Sequence, residues 1–393
     1  MNEQIITSPR ELSALCRRLA GASSIAFDTE FVSEDTYRPQ LCLVQVACGE
    51  ELVAIDPLAA GDLAEFWSLL AASGHETIVH AGREELNFSL AAVKKPPAKL
   101  FDVQIAAGLI GLDYPAGYGN LIFKLLGETP RKGETRTDWR RRPLSDKQID
   151  YALEDVRHLH PLRNKLHGRL EELGRLQWFE AEMATFEEEV IHARSRERWR
   201  KVTGSSSLSG RSQAIIRELW LWRESEAERR NCPVRRVLRD DLIVELAKRR
   251  SADLKQIRAV RGMERGDLQR HVPAISKAIA EALEVPNEKC PETVRRDASP
   301  QLAMLGQFLS SALSSICRAA EVAPSLVGTP NDVRDLIAYQ LGEYEPAGGE
   351  KPALAEGWRA EVVGQLLDDL LDGKVSIRIR DPRSEQPLAF ERE

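Results

Sequence analysis

A mixed α/β domain followed by two all-helical units is the architecture this sequence predicts. Three observations predict it. In the first part of the chain, short runs rich in β-branched and aromatic residues interleave with helical patterns. From about residue 177 the chain reads as wholly helical. Two breaker-rich segments, GSSSLSGRS (204–212) and VPNEKCPETVRRDASP (285–300), then divide the helical part. The expected domains are therefore 1–203, 212–285 and 301–375.

The first predicted strand is SIAFDTEFV, in which Ile25, Phe27 and Phe31 alternate with the other side chains. LCLVQVA and ELVAID follow, separated by the turn-like CGE, and read as a hairpin joined to that strand. TIVH (77–80) is a further short strand. Ser145 is placed to cap a long helix that carries YALEDVRHLHPL. The tail, DPRSEQPLAFERE, is polar and is expected to fray.

A chain of 393 residues exceeds one ordinary core, and 42% hydrophobic with 30% charged content is that of a globular protein. No apolar run approaches the roughly 20 residues of a membrane span. MNEQIITSPR lacks an apolar signal core, and the six cysteines form no CxxC pair. These features predict a cytoplasmic protein without a membrane partner, disulfide framework or zinc site. The net charge of −6 is unevenly spread. RKGETRTDWRRR (131–142) holds six basic residues against two acidic, and HARSRERWRK (192–201) holds five against one. Such clusters suit phosphates or simply a solvated face. There is no GxxxxGK[ST] and no GxSxG, which argues against P-loop and serine-hydrolase chemistry.

Period two puts Asp28 and Glu30 on one face of the first strand, where two carboxylates repel unless a cation or shared proton lies between them. Tyr151 and Asp155 are four residues apart and share a helix face. HAGREEL adds Glu84 and Glu85. Their oxygens suit a hard cation, Mg²⁺ or Mn²⁺, and a carboxylate cluster holding two such ions about 3.5–4 Å apart drives in-line attack on a phosphodiester. Tyr151, with an ordinary pKa near 10, would orient the attacking water as a hydrogen-bond donor. Any one of these acids reads equally as a cap or surface residue; the set is what informs. His158 and His160 are left out of the metal shell. Arg136, Trp139 and Arg140 are candidate nucleic-acid contacts, Trp139 by base stacking. Gly262 and Gly266 permit either close approach to a phosphate or a plain tight turn.

These residues carry a family resemblance over nearly the whole chain. FDTEF with TYRPQLCLVQ, VHAGREEL, and GETRTDWRRRPLSDKQIDYALEDVRHLHPL resemble the three exonuclease motifs of the ribonuclease D family, DEDD exonucleases of the tyrosine subtype. The resemblance implies a ribonuclease H-like α/β exonuclease domain followed by two all-α HRDC-like domains. It implies a 3′→5′ exoribonuclease that trims tRNA precursors and releases nucleoside 5′-monophosphates, and the expected working unit is a monomer. Asp28, Glu30 and Asp155 fall on metal-ligand positions and Tyr151 on the water-orienting position. Glu85 stands where the family has Asp, on the acid that touches the second metal through water. That departure leaves an RNA-binding protein with weakened catalysis as an alternative, and the motifs alone leave a DNA exonuclease as another.

Overall fold

The computed structural model describes residues 2–129, 137–192, 196–205, 208–291, 300–344, 351–384 and 386–392. A six-stranded sheet in the order β1-β4-β3-β2-β5-β6 forms the N-terminal part. Its strands are β1 (Asn2–Ile6), β2 (Ser24–Val32), β3 (Gln40–Cys48), β4 (Glu51–Ile55), β5 (Glu76–Val79) and β6 (Leu100–Asp102). β2, β3 and β4 run as an antiparallel meander, as their alternation and the Gly49 turn predict. β1 adds parallel to β4, while β5 and β6 add parallel on the β2 side. β3 is buried from Cys42 to Ala47, so both of its faces are covered. Phe27 projects from β2 onto Phe66 and Trp67, with ring centroids 6.3 and 5.9 Å away.

The helix expected to carry the whole of YALEDVRHLHPL is two helices, Asp146–Arg157 and Leu159–Glu172. Pro161 has no N–H to give the Arg157 carbonyl, so the ladder breaks at His158. The start is as predicted: Ser145 caps it, in a reciprocal box with Gln148.

The helical segments after residue 208 pack in two different ways. The first, from helix Gly210–Arg229 to helix Val272–Glu284, has its own core of Ile215, Leu219, Ile243, Leu246, Ile275 and Ile279. It meets the α/β part through polar contacts. Tyr37 donates its N–H to Asn231 and its O–H to Glu224, and Arg38 pairs with Glu228. The second begins with helix Pro300–Ala319, and its Leu309, Leu313, Leu326 and Trp358 belong to the same buried cluster as the sheet. Arg175, itself buried, ties this join by donating to the carbonyls of Leu109 and Glu321, both at 2.7 Å, and of Ala320.

The tail departs from expectation. Val375–Ile379 (β7) and Leu388–Arg392 (β8) pair as an antiparallel hairpin, so the chain beyond residue 177 is not wholly helical and the tail is not frayed. Ile377 faces Phe390 across the ladder, both pack on the main core, and Arg378 pairs with Glu391 at 2.6 Å.

Candidate active site

Asp28 and Glu30 project from β2 toward helix Asp146–Arg157, which lies across β2, β3 and β4. That helix brings Tyr151 and Asp155. Thr29, between the two acids, points to the opposite face, where helix Arg83–Ala92 packs and Phe31 meets Phe88. Thr29 is buried there and donates its hydroxyl to Glu85 Oε1 at 2.6 Å. Glu85 is buried in turn, and its charge acts on both Asp28 and Glu30. Glu84 is half-buried and accepts from Asn87, outside this group.

Electrostatics bind the four acids into one unit. Burial raises Asp28 well above the usual carboxylate range, helped by the charges of Glu85, Asp155 and Glu30. Burial, then Asp155 and Glu85, push Glu30 up to about 8. Asp155 rises to about 7 through burial and the neighbouring Glu154. Glu85 also rises to about 7 through burial, against the lowering effect of the Thr29 hydroxyl. Tyr151 is pushed up to about 12 by burial and by Asp155, Glu30 and Asp28, so its hydroxyl stays protonated. Among the described residues, no three His, Cys, Asp or Glu side chains form a closed metal-ligating group. Hard oxygen donors that lift one another's pKa fit a divalent cation, which would lower the carboxyl values again.

The turn that presents Glu85 depends on a residue the sequence did not single out. Asp102, fully buried, accepts from the N–H groups of Ala81 (3.0 Å), Gly82 (2.9 Å) and Gln104 (2.8 Å). Gly82 is required as well, because a Cβ there would lie 2.4 Å from Val79 Cγ2. Arg142 was missed too. It donates to both oxygens of Asp56 and to the carbonyls of Cys42 and Trp139, which locks the segment before the 146–157 helix onto the sheet.

The nucleic-acid candidates separate. Arg136 lies outside the described residues. Trp139, expected to stack on bases, is only 6% exposed and instead stacks on Tyr151, with centroids 6.4 Å apart and planes at 25°. Its apolar ring gains more from burial against the sheet than from a solvated base. Arg140 is half-exposed and paired with Asp138 and Asp35. His158 faces Glu154 at 3.2 Å, and His160 meets Ser24 from the second helix. Gly262 has φ 99°, which a turn requires, and its N–H is taken by Glu264, so it offers no free donor to a phosphate. Gly266 opens the short helix Gly266–Gln269.

Comparison with known proteins gives the class, a 3′→5′ exonuclease. Residues 3–171 match the family described as 3′-5′ exonuclease, and residues 212–279 match the HRDC domain. Ribonuclease D of Gluconacetobacter diazotrophicus is 34% identical, with 96% of this chain and 95% of that protein covered. Ribonuclease D of Zymomonas mobilis is also 34% identical, over 96% of each. The crystal structure of Escherichia coli RNase D, an exoribonuclease involved in structured RNA processing, matches with a TM-score of 0.82 and 28% identity over 95% of this chain and 99% of that one. The chain belongs to the ribonuclease D family and is a 3′→5′ exoribonuclease with an N-terminal α/β exonuclease domain and a helical HRDC domain. Its substrate class is therefore RNA, and its family is typically dependent on divalent metal. Among the described residues, no helix is long and apolar enough to cross a membrane.

Proposed function

We propose that this exoribonuclease trims the 3′ ends of tRNA precursors and other structured RNAs one nucleotide at a time, releasing nucleoside 5′-monophosphates with two divalent cations, Mg²⁺ or Mn²⁺. The observation that carries the reading is the convergence of Asp28, Glu30, Glu85 and Asp155 from three separate elements into one mutually repelling group. The relationship to the Escherichia coli enzyme supports the structured-RNA substrate. The cysteines, all free, support a cytoplasmic setting, and we take the monomer as the working unit. The domain limits 1–203, 212–285 and 301–375 are part of the same proposal, with the third unit sharing the exonuclease core.

Asp28, Glu30 and Asp155 would hold the cations, and Glu85 would act on the second at one remove. Bound divalent ions supply activation of the attacking water and offset the charge that grows on the phosphate. Tyr151, protonated and held against Trp139, donates its O–H to that water and fixes the direction of its lone pair. The test is a 3′-labelled, 3′-extended tRNA incubated with and without Mg²⁺ or Mn²⁺. Metal-dependent release of mononucleotides is expected, and release without metal or of oligonucleotides refutes the reading.

Two substitutions probe the roles. Tyr151→Phe removes only the hydroxyl, so single-turnover cleavage should fall about 100-fold while RNA affinity stays within about 2-fold. A weaker affinity with an unchanged rate would make Tyr151 a substrate contact. Glu85→Asp restores the family's residue and should change the rate by about 10-fold or less, whereas Glu85→Ala should cost more, because the charge is lost. A steep gain in Glu85→Asp would show that the longer acid cripples the site. Single-turnover rates at saturating Mn²⁺ separate these outcomes.

A further inference from the structure

Gln45 is fully buried on β3, and neither its Nε2 nor its Oε1 meets a hydrogen-bond partner among the described residues. A buried, unpaired amide is destabilising, and an apolar side chain of similar volume would fill the same space without that penalty. The position of Gln45 accounts for an amide there. In the ladder it stands directly opposite Asp28 on one side and Ala54 on the other. Residues opposite one another share a face, with Cβ atoms about 4.5–5.5 Å apart. Ala54 has no polar side-chain atom, so Asp28 is the polar neighbour this row of the sheet offers. The helix above contributes the buried apolar residues Ala152, Leu153 and Val156.

We propose that Gln45 is a positioning residue for Asp28: with the cations in place, its Nε2–H donates to a carboxylate oxygen of Asp28. The proposal rests on the reading of Asp28 as a metal ligand. Each oxygen of an ionised carboxylate carries two lone pairs, so an oxygen that binds a cation can still accept a hydrogen bond. A charge-assisted bond from the amide fixes the rotation of the group. Outer partners of this type orient the ligand without touching metal or substrate.

The experiment uses the full chain, Mn²⁺ as probe, and Gln45→Met, which deletes both polar atoms at nearly constant volume. Two quantities are read: the melting temperature without metal, and Mn²⁺ affinity by calorimetry. The metal-free melting temperature should rise by about 2–4 °C, because an orphan amide is gone. Mn²⁺ affinity should fall about 10–100-fold. Parent-like Mn²⁺ affinity in Gln45→Met, alongside lost affinity in Asp28→Ala, overturns the proposal while leaving the metal site intact. Parent-like affinity in Asp28→Ala refutes the underlying ligand assignment, and the proposal with it. Gln45→Asn guards against a folding failure of the Met variant. It keeps an amide one methylene short, so affinity should still fall without any rise in melting temperature, and unchanged affinity there also overturns the proposal.

Discussion

Asp28→Asn should yield a folded chain that melts higher than the parent without metal and releases almost no nucleotides from RNA. Both effects follow from one carboxyl group. Burial, with Glu85, Asp155 and Glu30 around it, raises the Asp28 pKa well above its usual range, so an amide there avoids the cost of either ionising or protonating that carboxyl in the folded chain. In the proposed site the ionised carboxylate holds a cation, and its loss should reduce single-turnover cleavage on the order of 1,000-fold or more, about 4 kcal/mol of barrier. Paired melting curves and single-turnover assays at saturating Mn²⁺ check the result. A variant that melts lower than the parent, or cleaves within 10-fold of it, contradicts the assignment.

The metal-free enzyme should lose stability as pH rises, and added Mn²⁺ should return it. Glu30 rises from 4.5 to about 8, and Asp155 and Glu85 to about 7. These folded-state values lie above the unfolded ones. Their favourable state is therefore fully present below about pH 4 and is lost as pH climbs through about 7 to 8. Each tenfold gain in proton affinity on folding corresponds to about 1.4 kcal/mol, and the groups are too close to add independently, so a total loss of roughly 3–5 kcal/mol between pH 5 and 9 is expected. Urea midpoints measured with EDTA across that range should fall. With saturating Mn²⁺ the trend should flatten or reverse, because ligation favours the deprotonated forms. Parallel pH profiles with and without metal would place the cation elsewhere.

Where local pattern decides structure, the sequence was readable. The alternation of SIAFDTEFV placed Asp28 and Glu30 side by side, and Ser145 announced the helix that delivers Tyr151 and Asp155. What escaped depends on partners far away in the chain. Asp102 meets Ala81 and Gly82 across a gap of about twenty residues, and Arg142 reaches Asp56 from 86 residues away. Nothing beside either residue hints at its partner. β1 and β6 were missed because NEQII and LFD are too short to show a period, and each exists only because a neighbouring strand supplies its hydrogen bonds. The break at His158 was available in principle, since Pro161 stands in plain view. The tail misled because the polar run DPRSEQP outweighed the alternation of Leu388 and Phe390.

The shared core also bears on the order in which the chain can complete its folding. Leu309, Leu313 and Trp358 close the same apolar cluster as Phe27 and Phe101, so the α/β portion emerges from the ribosome with one side uncovered. At ordinary synthesis rates, the covering helices arrive roughly 10–40 s after the strands. The HRDC segment, with a core of its own, can fold during that wait. A nascent chain cut short before the final helices thus carries Asp28, Glu30, Glu85 and Asp155 but leaves the apolar face that Leu309, Leu313 and Trp358 cover exposed to water.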